Sequence, residues 1–323
     1  MKKLLQRDEF REKVFSRDNH TCVVPHCFMK AKDAHHIIER RLWDDGGYYL
    51  DNGASLCELH HKLAEITIIL PRTLREYCKI NRIILPNILE SNKEYTKWGV
   101  EMIQSKRKIF KYPTTCYLPF SYIPESHNRD TGNEDVLLKV PLVITGKMDG
   151  SNIQLTNKKV AARNGIDAKH KSFDLLKSMH HKIKDLIPEN LIVFGEWLFA
   201  KHSIHYKDLK NYLQLFAIYN SKTGMWSSWS DVCDMAKRLG VITVPVEGFF
   251  IYDKKWKIKK EITNIANKVI KNGGEGIVVR NAYPFHDAFF KENIMKFVRE
   301  NHVQTDIHWS NQKIIRNKKN IIR

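Results

Sequence analysis

The chain has 323 residues, 42% of them hydrophobic, and a formal net charge of +18. That apolar share excludes a wholly disordered or fibrous protein, and the length points to two domains. The charge calls for an anionic partner, most often nucleic acid, while the lack of a signal-peptide pattern in "MKKLLQRDEF" and of a bilayer-length apolar run argues against a membrane and for a cytoplasmic protein.

In chain order, the first part, residues 1–90, is rich in His and Cys. In a reducing compartment the six cysteines are expected to be thiols or metal ligands, not disulfides. Cys78, Cys116 and Cys233 are scattered and read as small packing side chains. In "CVVPHC" and "SLCELHH", Cys22 with Cys27 and Cys57 with His60 form two pairs that can close a tetrahedral structural zinc site. Zinc of this kind replaces a large core in a small domain. The C-x4-C spacing is wider than the usual C-x2-C, so the second pair carries much of the inference.

Residues 91–111, polar and lysine-rich, read as a partly helical linker. From Tyr112 the chain changes character. The runs "VLLKVPLVIT", "SNIQLT", "KKVAAR", "LIVFGEWLF", "YLQLFAIY", "GIVVR" and "IMKFV" predict strands. "SFDLLKSMHHKIKDL" and "WSDVCDMAKRLG" predict helices, the latter stopped by Gly240. Residues 112–310 therefore read as a mixed α/β domain. Residues 311–323 read as a basic tail, disordered or lying on nucleic acid.

Beside the zinc pairs stand His35, His36, Asn52 and His61. Their order resembles the HNH endonuclease family over roughly Phe15 to Glu65. The resemblance implies a ββα-metal fold with His36 as the base that deprotonates water, His35 and His61 as ligands of a catalytic Mg2+ or Mn2+, and Asn52 pinning the loop that orients His36. His35 stands where many members carry Asp. A zinc-stapled module that binds nucleic acid without cutting it is the alternative.

"KMDGSN", Lys147 to Asn152, resembles motif I of the covalent nucleotidyltransferases, which include ATP-dependent DNA and RNA ligases and mRNA capping enzymes. Further elements follow in the family's order: "ARNG" with Arg163, "FGEWLF" with Glu196, "LQLFAIY" with Phe216, "EGIVVR" with Glu275 and "MKFVR" with Lys296. The resemblance covers about Tyr112 to Trp309. Each residue alone has an ordinary structural reading. Together they place charges inside apolar runs, where charges need partners, and a nucleotide triphosphate with its metal would supply them.

The resemblance implies that Lys147 attacks ATP to form lysyl-AMP. AMP then passes to a 5′-phosphate, and a 3′-hydroxyl displaces it to seal the strand. Lys296 would stabilise the α-phosphate, Glu196 would accept from the ribose, Phe216 would stack on adenine, Glu275 would hold a divalent cation, and Arg163 would grip a phosphate. Asp149 and Gly150 would shape the turn presenting Lys147. Partial burial and the neighbouring Lys296 cation are expected to lower the pKa of Lys147.

Asn152 ends motif I where DNA ligases and capping enzymes usually carry Arg and many RNA ligases carry Asn. This favours RNA, as does the lack of room for an OB domain after motif V. "SIHYKDL" and "HVQTDIHW" look like a bacterial and phage RNA-ligase-like group. The expected architecture is thus α+β, a zinc-stabilised ββα-metal domain followed by an α/β nucleotidyltransferase domain with antiparallel sheets. The expected function is an ATP-dependent RNA ligase of repair or defence. An ATP-dependent DNA nick ligase, or a nucleic-acid-binding protein with an inactive HNH module, remains open.

Overall fold

A computed structural model describes residues 3–25, 27–102, 110–123, 131–251, 255–300 and 313–320. The chain divides into two compact units, Met1–Ser105 and Lys106–Arg323. Residues 302–309, carrying "HVQTDIHW", lie outside the described residues, as do 103–109 of the expected linker and parts of the expected tail.

In the first unit, helix α1 (Arg7–Arg17) buries Phe10, Val14 and Phe15 against a hairpin of β1 (Asp33–His36) and β2 (Gly53–Leu56). The antiparallel register sets His36 opposite Gly53 and His35 opposite Ala54. A Cβ at Gly53 would stand 2.3 Å from the Val14 side chain, so the close approach of α1 demands glycine. Helix α2 (Glu58–Glu65) follows β2 directly, and α3 (Pro71–Tyr77) starts with proline, whose missing N–H is not needed in a first turn. The stretch 91–102, expected as linker, belongs to this unit. Lys97 is buried there, paired with Glu65 and lying 3.6 Å from Glu39. A lysine matched to two carboxylates can be buried, and that anchors the stretch.

The second unit holds two sheets. Strands β3 (Cys116–Tyr117), β4 (Leu142–Gly146), β11 (Val246–Phe250), β12 (Gly276–Asn281) and β14 (Ile294–Val298) form one, in the order β11-β4-β12-β14-β3. The other runs β13-β9-β8-β7-β5-β6, with β10 beside β8. Its strands are β5 (Ser151–Leu155), β6 (Val160–Ala162), β7 (Leu191–Trp197), β8 (Leu213–Asn220), β9 (Met225–Trp226), β10 (Ile242–Thr243) and β13 (Phe285–His286). Pairing is antiparallel except for β10 with β8 and β14 with β3. The fold is thus mixed α+β with mainly antiparallel sheets. The core of the seven-stranded sheet is aromatic, with Trp197, Trp226, Phe194 and Tyr112 buried together.

The expected strand "VLLKVPLVIT" divides. Its start is the short helix α4 (Glu134–Leu137), capped by the Asn133 side chain and acidic in its first turn, both of which favour a helix there. Helix α5 (Asp174–Ile183) and helix α6 (Trp229–Arg238) lie in the two expected helical stretches. A capping box from Ser228 and Asp231 starts α6, and Gly240 at φ +65° follows its end. The long helix α7 (Lys255–Lys271) against β11, β12 and β14 was not anticipated, nor the short α8 (Phe290–Asn293). No helix among the described residues is long and apolar enough to cross a membrane.

One glycine fixes how the five-stranded sheet meets its cleft. Gly276 has φ +148°, and a Cβ there would stand 2.1 Å from the Phe297 carbonyl oxygen and 2.9 Å from Val298 Cα. Backbone cannot yield as a flexible side chain can. Gly276→Ala is expected to cost about 3 kcal/mol of stability from combined strain and overpacking. The check is denaturant unfolding; an unchanged midpoint would refute the account.

Candidate active site

A cavity of about 850 Å³ opens between the two sheets of the second unit. The five-stranded sheet and its loops contribute Thr145, Lys147, Val278, Arg280 and Lys296 to its walls. The other sheet contributes Asn152, Glu196 and Phe216, and Tyr112, Arg163 and His202 come from loops. The antiparallel pairing of β4 with β12 puts the start of β12 beside the end of β4. Lys147, just past β4, and Glu275, just before β12, therefore face one another. The Lys147 backbone N–H donates to the Gly276 carbonyl at 2.9 Å, and its Nζ lies 2.7 and 2.8 Å from the two Glu275 carboxylate oxygens.

This ion pair corrects the expected direction for Lys147. Burial pulls its pKa down, but the Glu275 charge and hydrogen bonds, helped by Glu196 and Asp149, outweigh burial and hold it above the ordinary lysine value. The resting amine is protonated. Lys296 does not dominate the local field; its Nζ lies 3.9 Å from the centroid of the Tyr117 ring. Burial pushes Glu196 up to about 8, with Lys147 opposing and Glu275 reinforcing the shift.

The turn after Lys147 is tied down at several points. Gly150 N–H donates to Glu196 Oε1 at 3.1 Å, and the Asp149 carboxylate accepts from Ile204 N–H at 2.6 Å. The Asp149 N–H donates to the Tyr206 hydroxyl at 2.9 Å. Asn152 faces Glu196 across β5 and β7, and its Oδ1 is buried with no hydrogen-bond partner among the described residues. Phe216 is buried, its ring edge-on to Tyr112 at 5.4 Å. The Arg163 guanidinium reaches back to the carbonyls of Tyr112 and Pro113 at 3.4 and 3.2 Å.

Two further residues escaped the sequence reading. Arg280 is buried, donates to the Phe216 carbonyl and lies 5.2 Å from the Trp229 ring centroid, bracing the strand that carries Phe216. The signal was an arginine closing the apolar run "GIVV". His202, whose Nε2 is 3.3 Å from Ser151 Oγ, lines the cavity just ahead of "IHYKDL", part of a stretch noticed in the sequence without a role.

These groups fit a nucleoside triphosphate. The cavity has an aromatic wall, cationic side chains for phosphate, carboxylates for ribose or a cation, and a buried oxygen on Asn152 awaiting a donor.

The first unit carries a second constellation. Cys22, Cys27, Cys57 and His60 bring one donor atom each to within 4.8 Å of one another. His60 Nδ1 lies 3.1 and 3.2 Å from the Cys22 and Cys57 sulfurs, and the Cys27 and Cys57 sulfurs are 4.0 Å apart. Around a tetrahedral zinc those separations would be roughly 3.6 and 3.8 Å. Donor types and spacing therefore fit zinc.

A second cluster forms from His35, His61 and Glu65. The Glu65 carboxylate lies 3.4 Å from His35 Nδ1 and 3.1 Å from His61 Nε2, and Lys97 also pairs with it. Glu65 was missed in the sequence, although it stands one turn after His61 on α2. His36, the next residue on β1, lines the same cavity as His35, His61 and Glu65. It stacks on Phe10 at 4.7 Å and meets Tyr48 edge-on. Burial, reinforced by the adjacent His35 and by the charges of Lys97 and Arg40, brings its pKa down to about 4, so it is neutral near pH 7. Asn52 is buried and binds both backbone groups of Ile38, accepting at 2.9 Å and donating at 3.0 Å, and donates to the Gly47 carbonyl. It thereby fixes the loop immediately after His36.

No curated protein sequence matches the chain. Among solved structures it is similar to an archaeal ATP-dependent RNA ligase (TM-score 0.41, 12% identity, 58% of this chain and 48% of that one). It is also similar to a putative ATP-dependent DNA ligase from Aquifex aeolicus (TM-score 0.40, 15% identity, 59% and 50%). A third is a mutant Naegleria gruberi RNA ligase with ATP and Mn (TM-score 0.38, 15% identity, 60% and 64%). The match spans about half the length of the first two proteins. Residues 140–298 match the RNA ligase family, and that segment supplies the cavity walls apart from residues 112–115.

Proposed function

We propose that the second unit is an ATP-dependent RNA ligase that works through a lysyl-AMP intermediate. The observation that carries this reading is Lys147 at the floor of a nucleotide-sized cavity, paired with Glu275 and close to Glu196, inside the segment that matches the RNA ligase family. Glu275 would hold Mg2+ or Mn2+, which neutralises phosphate charge and aligns the leaving group. A Glu275 drawn away from Lys147 no longer stabilises the ammonium. Burial then meets only the smaller contributions of Glu196 and Asp149, and the balance moves toward the free amine. The ammonium of Lys147 gives one proton to water, the freed lone pair attacks the α-phosphorus, an N–P bond forms as the bond to pyrophosphate breaks, and a second amine proton passes to solvent.

Lys296 and Arg163 would face phosphate charge, Phe216 adenine, and Glu196 the ribose. A 5′-phosphate oxygen of the strand then takes AMP from Lys147. A 3′-hydroxyl attacks the activated phosphate, and AMP leaves. Asp149 and Gly150 hold the turn. Asn152, with its buried oxygen, supports RNA as the polymer, since a donor there has a partner waiting.

For the first unit the proposed role is nucleic-acid cleavage by an HNH-type module. Cys22, Cys27, Cys57 and His60 hold a structural zinc. His35, His61 and Glu65 would hold a divalent cation, which would offset charge on the phosphate, and neutral His36 would take the proton from water.

Incubation with α-labelled ATP and magnesium, followed by a denaturing gel, tests the ligase. Label should stay on the protein and vanish in Lys147→Ala; a mutant labelled like wild type would place the nucleophile elsewhere. Nicked duplexes with ribo- or deoxyribonucleotides at the 3′ terminus, at matched salt, test the polymer. A site that bonds the 2′-hydroxyl should reject its absence, and equal sealing of all-DNA nicks would turn the assignment to a DNA ligase.

For the first unit, elemental analysis should find about one zinc per chain, as a single four-donor site requires. His36→Ala should abolish cutting while zinc is retained. If wild type cuts neither DNA nor RNA across several metals, the module binds without cutting.

A further inference from the structure

Residues 313–320, part of the stretch 311–323 expected to be a basic tail that is disordered or lies on nucleic acid, pack against the loop that follows β7. Lys201 N–H donates to the Ile315 carbonyl at 2.7 Å, Lys318 N–H to Tyr206 at 2.9 Å, and Leu209 N–H to Lys318 at 3.0 Å. At the centre is Asn317, 2% exposed. Its Nδ2 donates to the carbonyls of Leu198 and Ala200 at 2.9 and 3.2 Å, and its Oδ1 accepts from Tyr206 N–H at 2.9 Å. Its backbone N–H donates to Phe199, and its carbonyl accepts from the Tyr212 hydroxyl, both at 2.9 Å. One amide side chain thus satisfies three backbone groups of a loop that would otherwise lack a ladder partner.

That loop in turn holds the turn bearing the proposed nucleophile. Ile204 N–H and the Tyr206 hydroxyl are the two groups bonded to Asp149, two residues from Lys147. Two hydrogen bonds, one at the Tyr206 backbone N–H and one at its hydroxyl, thus link Asn317 to Asp149 through the covalent frame of Tyr206. The neighbouring charges take no part in it: Lys318 and Lys319 are exposed.

We propose that Asn317 is a positioning residue for nucleotidyl transfer, acting through Tyr206 and Asp149 to fix Lys147 for attack. The proposal rests on the reading of Lys147 as the nucleophile. Asn317 touches no reacting atom, so its loss affects the rate of attack more than nucleotide binding. Displacement of a reacting group by about 1 Å can cost up to about 100-fold in rate.

The experiment is single-turnover transfer of label from α-labelled ATP, read as a rate constant, an end-point and the ATP concentration giving half the maximal rate. Asn317→Ala should lower the rate constant by about 10-fold or more, with the end-point and the half-maximal ATP concentration near wild type. Tyr206→Phe removes one oxygen, leaves the docked segment in place and should slow transfer likewise; it decides the matter if Asn317→Ala does not fold. The double variant should be no slower than the slower single one, because both cut the same path.

Lys319→Ala should behave as wild type, and an equal loss there would overturn the proposal in favour of a charge effect of the tail. Wild-type rates in Asn317→Ala or, where that does not fold, in Tyr206→Phe, or a loss confined to the end-point, would also overturn it. An unlabelled wild-type protein would overturn the ligase reading itself, whereas a labelled wild type with unaffected variants overturns only this proposal.

Discussion

The ion pair between Lys147 and Glu275 is the constraint on which the second unit turns. The two residues are far apart in sequence and meet because β4 and β12 pair antiparallel in one register. Glu275 is buried, and a buried carboxylate without its cation would be costly. The pair therefore penalises any slip of these strands, and a one-residue slip would also turn their side chains to the opposite faces. Gly276 belongs to the same constraint, because only a residue without Cβ lets β12 begin so close to Val298 while its carbonyl takes the Lys147 N–H.

The same pair has a chemical consequence. A lysine kept charged by its neighbour is stable but not nucleophilic. On the proposed mechanism, reactivity would depend on drawing Glu275 away, and a carboxylate placed beside a nucleotide-sized cavity could exchange its ammonium partner for a metal cation. On that reading, burial of the lysine, overruled at rest, would count for more once the carboxylate is engaged elsewhere. Sequence reasoning identified both residues but reversed the resting direction of the lysine pKa. It set Lys296 beside Lys147 as the charge governing the amine, whereas Glu275 is the charge that meets it.

Other differences between sequence and structure have equally local causes. The strands around Glu196, Phe216 and Lys296 were legible because β-branched and aromatic runs are bounded by polar loops. The run starting at Val136 was misread because a continuous apolar stretch does not separate helix from strand, and the deciding cap at Asn133 lies just before it. Lysine-rich composition suggested a linker at 91–111 and a basic tail at 311–323, yet 91–102 and 313–320 are docked. In each case one side chain decides otherwise: Lys97 between carboxylates, and Asn317 among backbone groups. Composition cannot register a single satisfied polar group, yet such a group is enough to dock a short segment.

The first unit applies a related economy. Its apolar core around Phe10 and Val14 is small, and α2 holds adjacent histidines on different faces. His60 turns to the cysteines while His61 turns to Glu65 and Asp33. Successive residues on a helix point about 100° apart, so one short helix serves both clusters, and a metal that fixes His60 also fixes the direction of His61. Asn52 does the corresponding work on the other side of the hairpin, locking the backbone beyond His36. The orientation of each titratable group thus rests on a neighbouring residue that does no chemistry itself, just as Lys147 in the second unit rests on Asp149 and the groups that hold it.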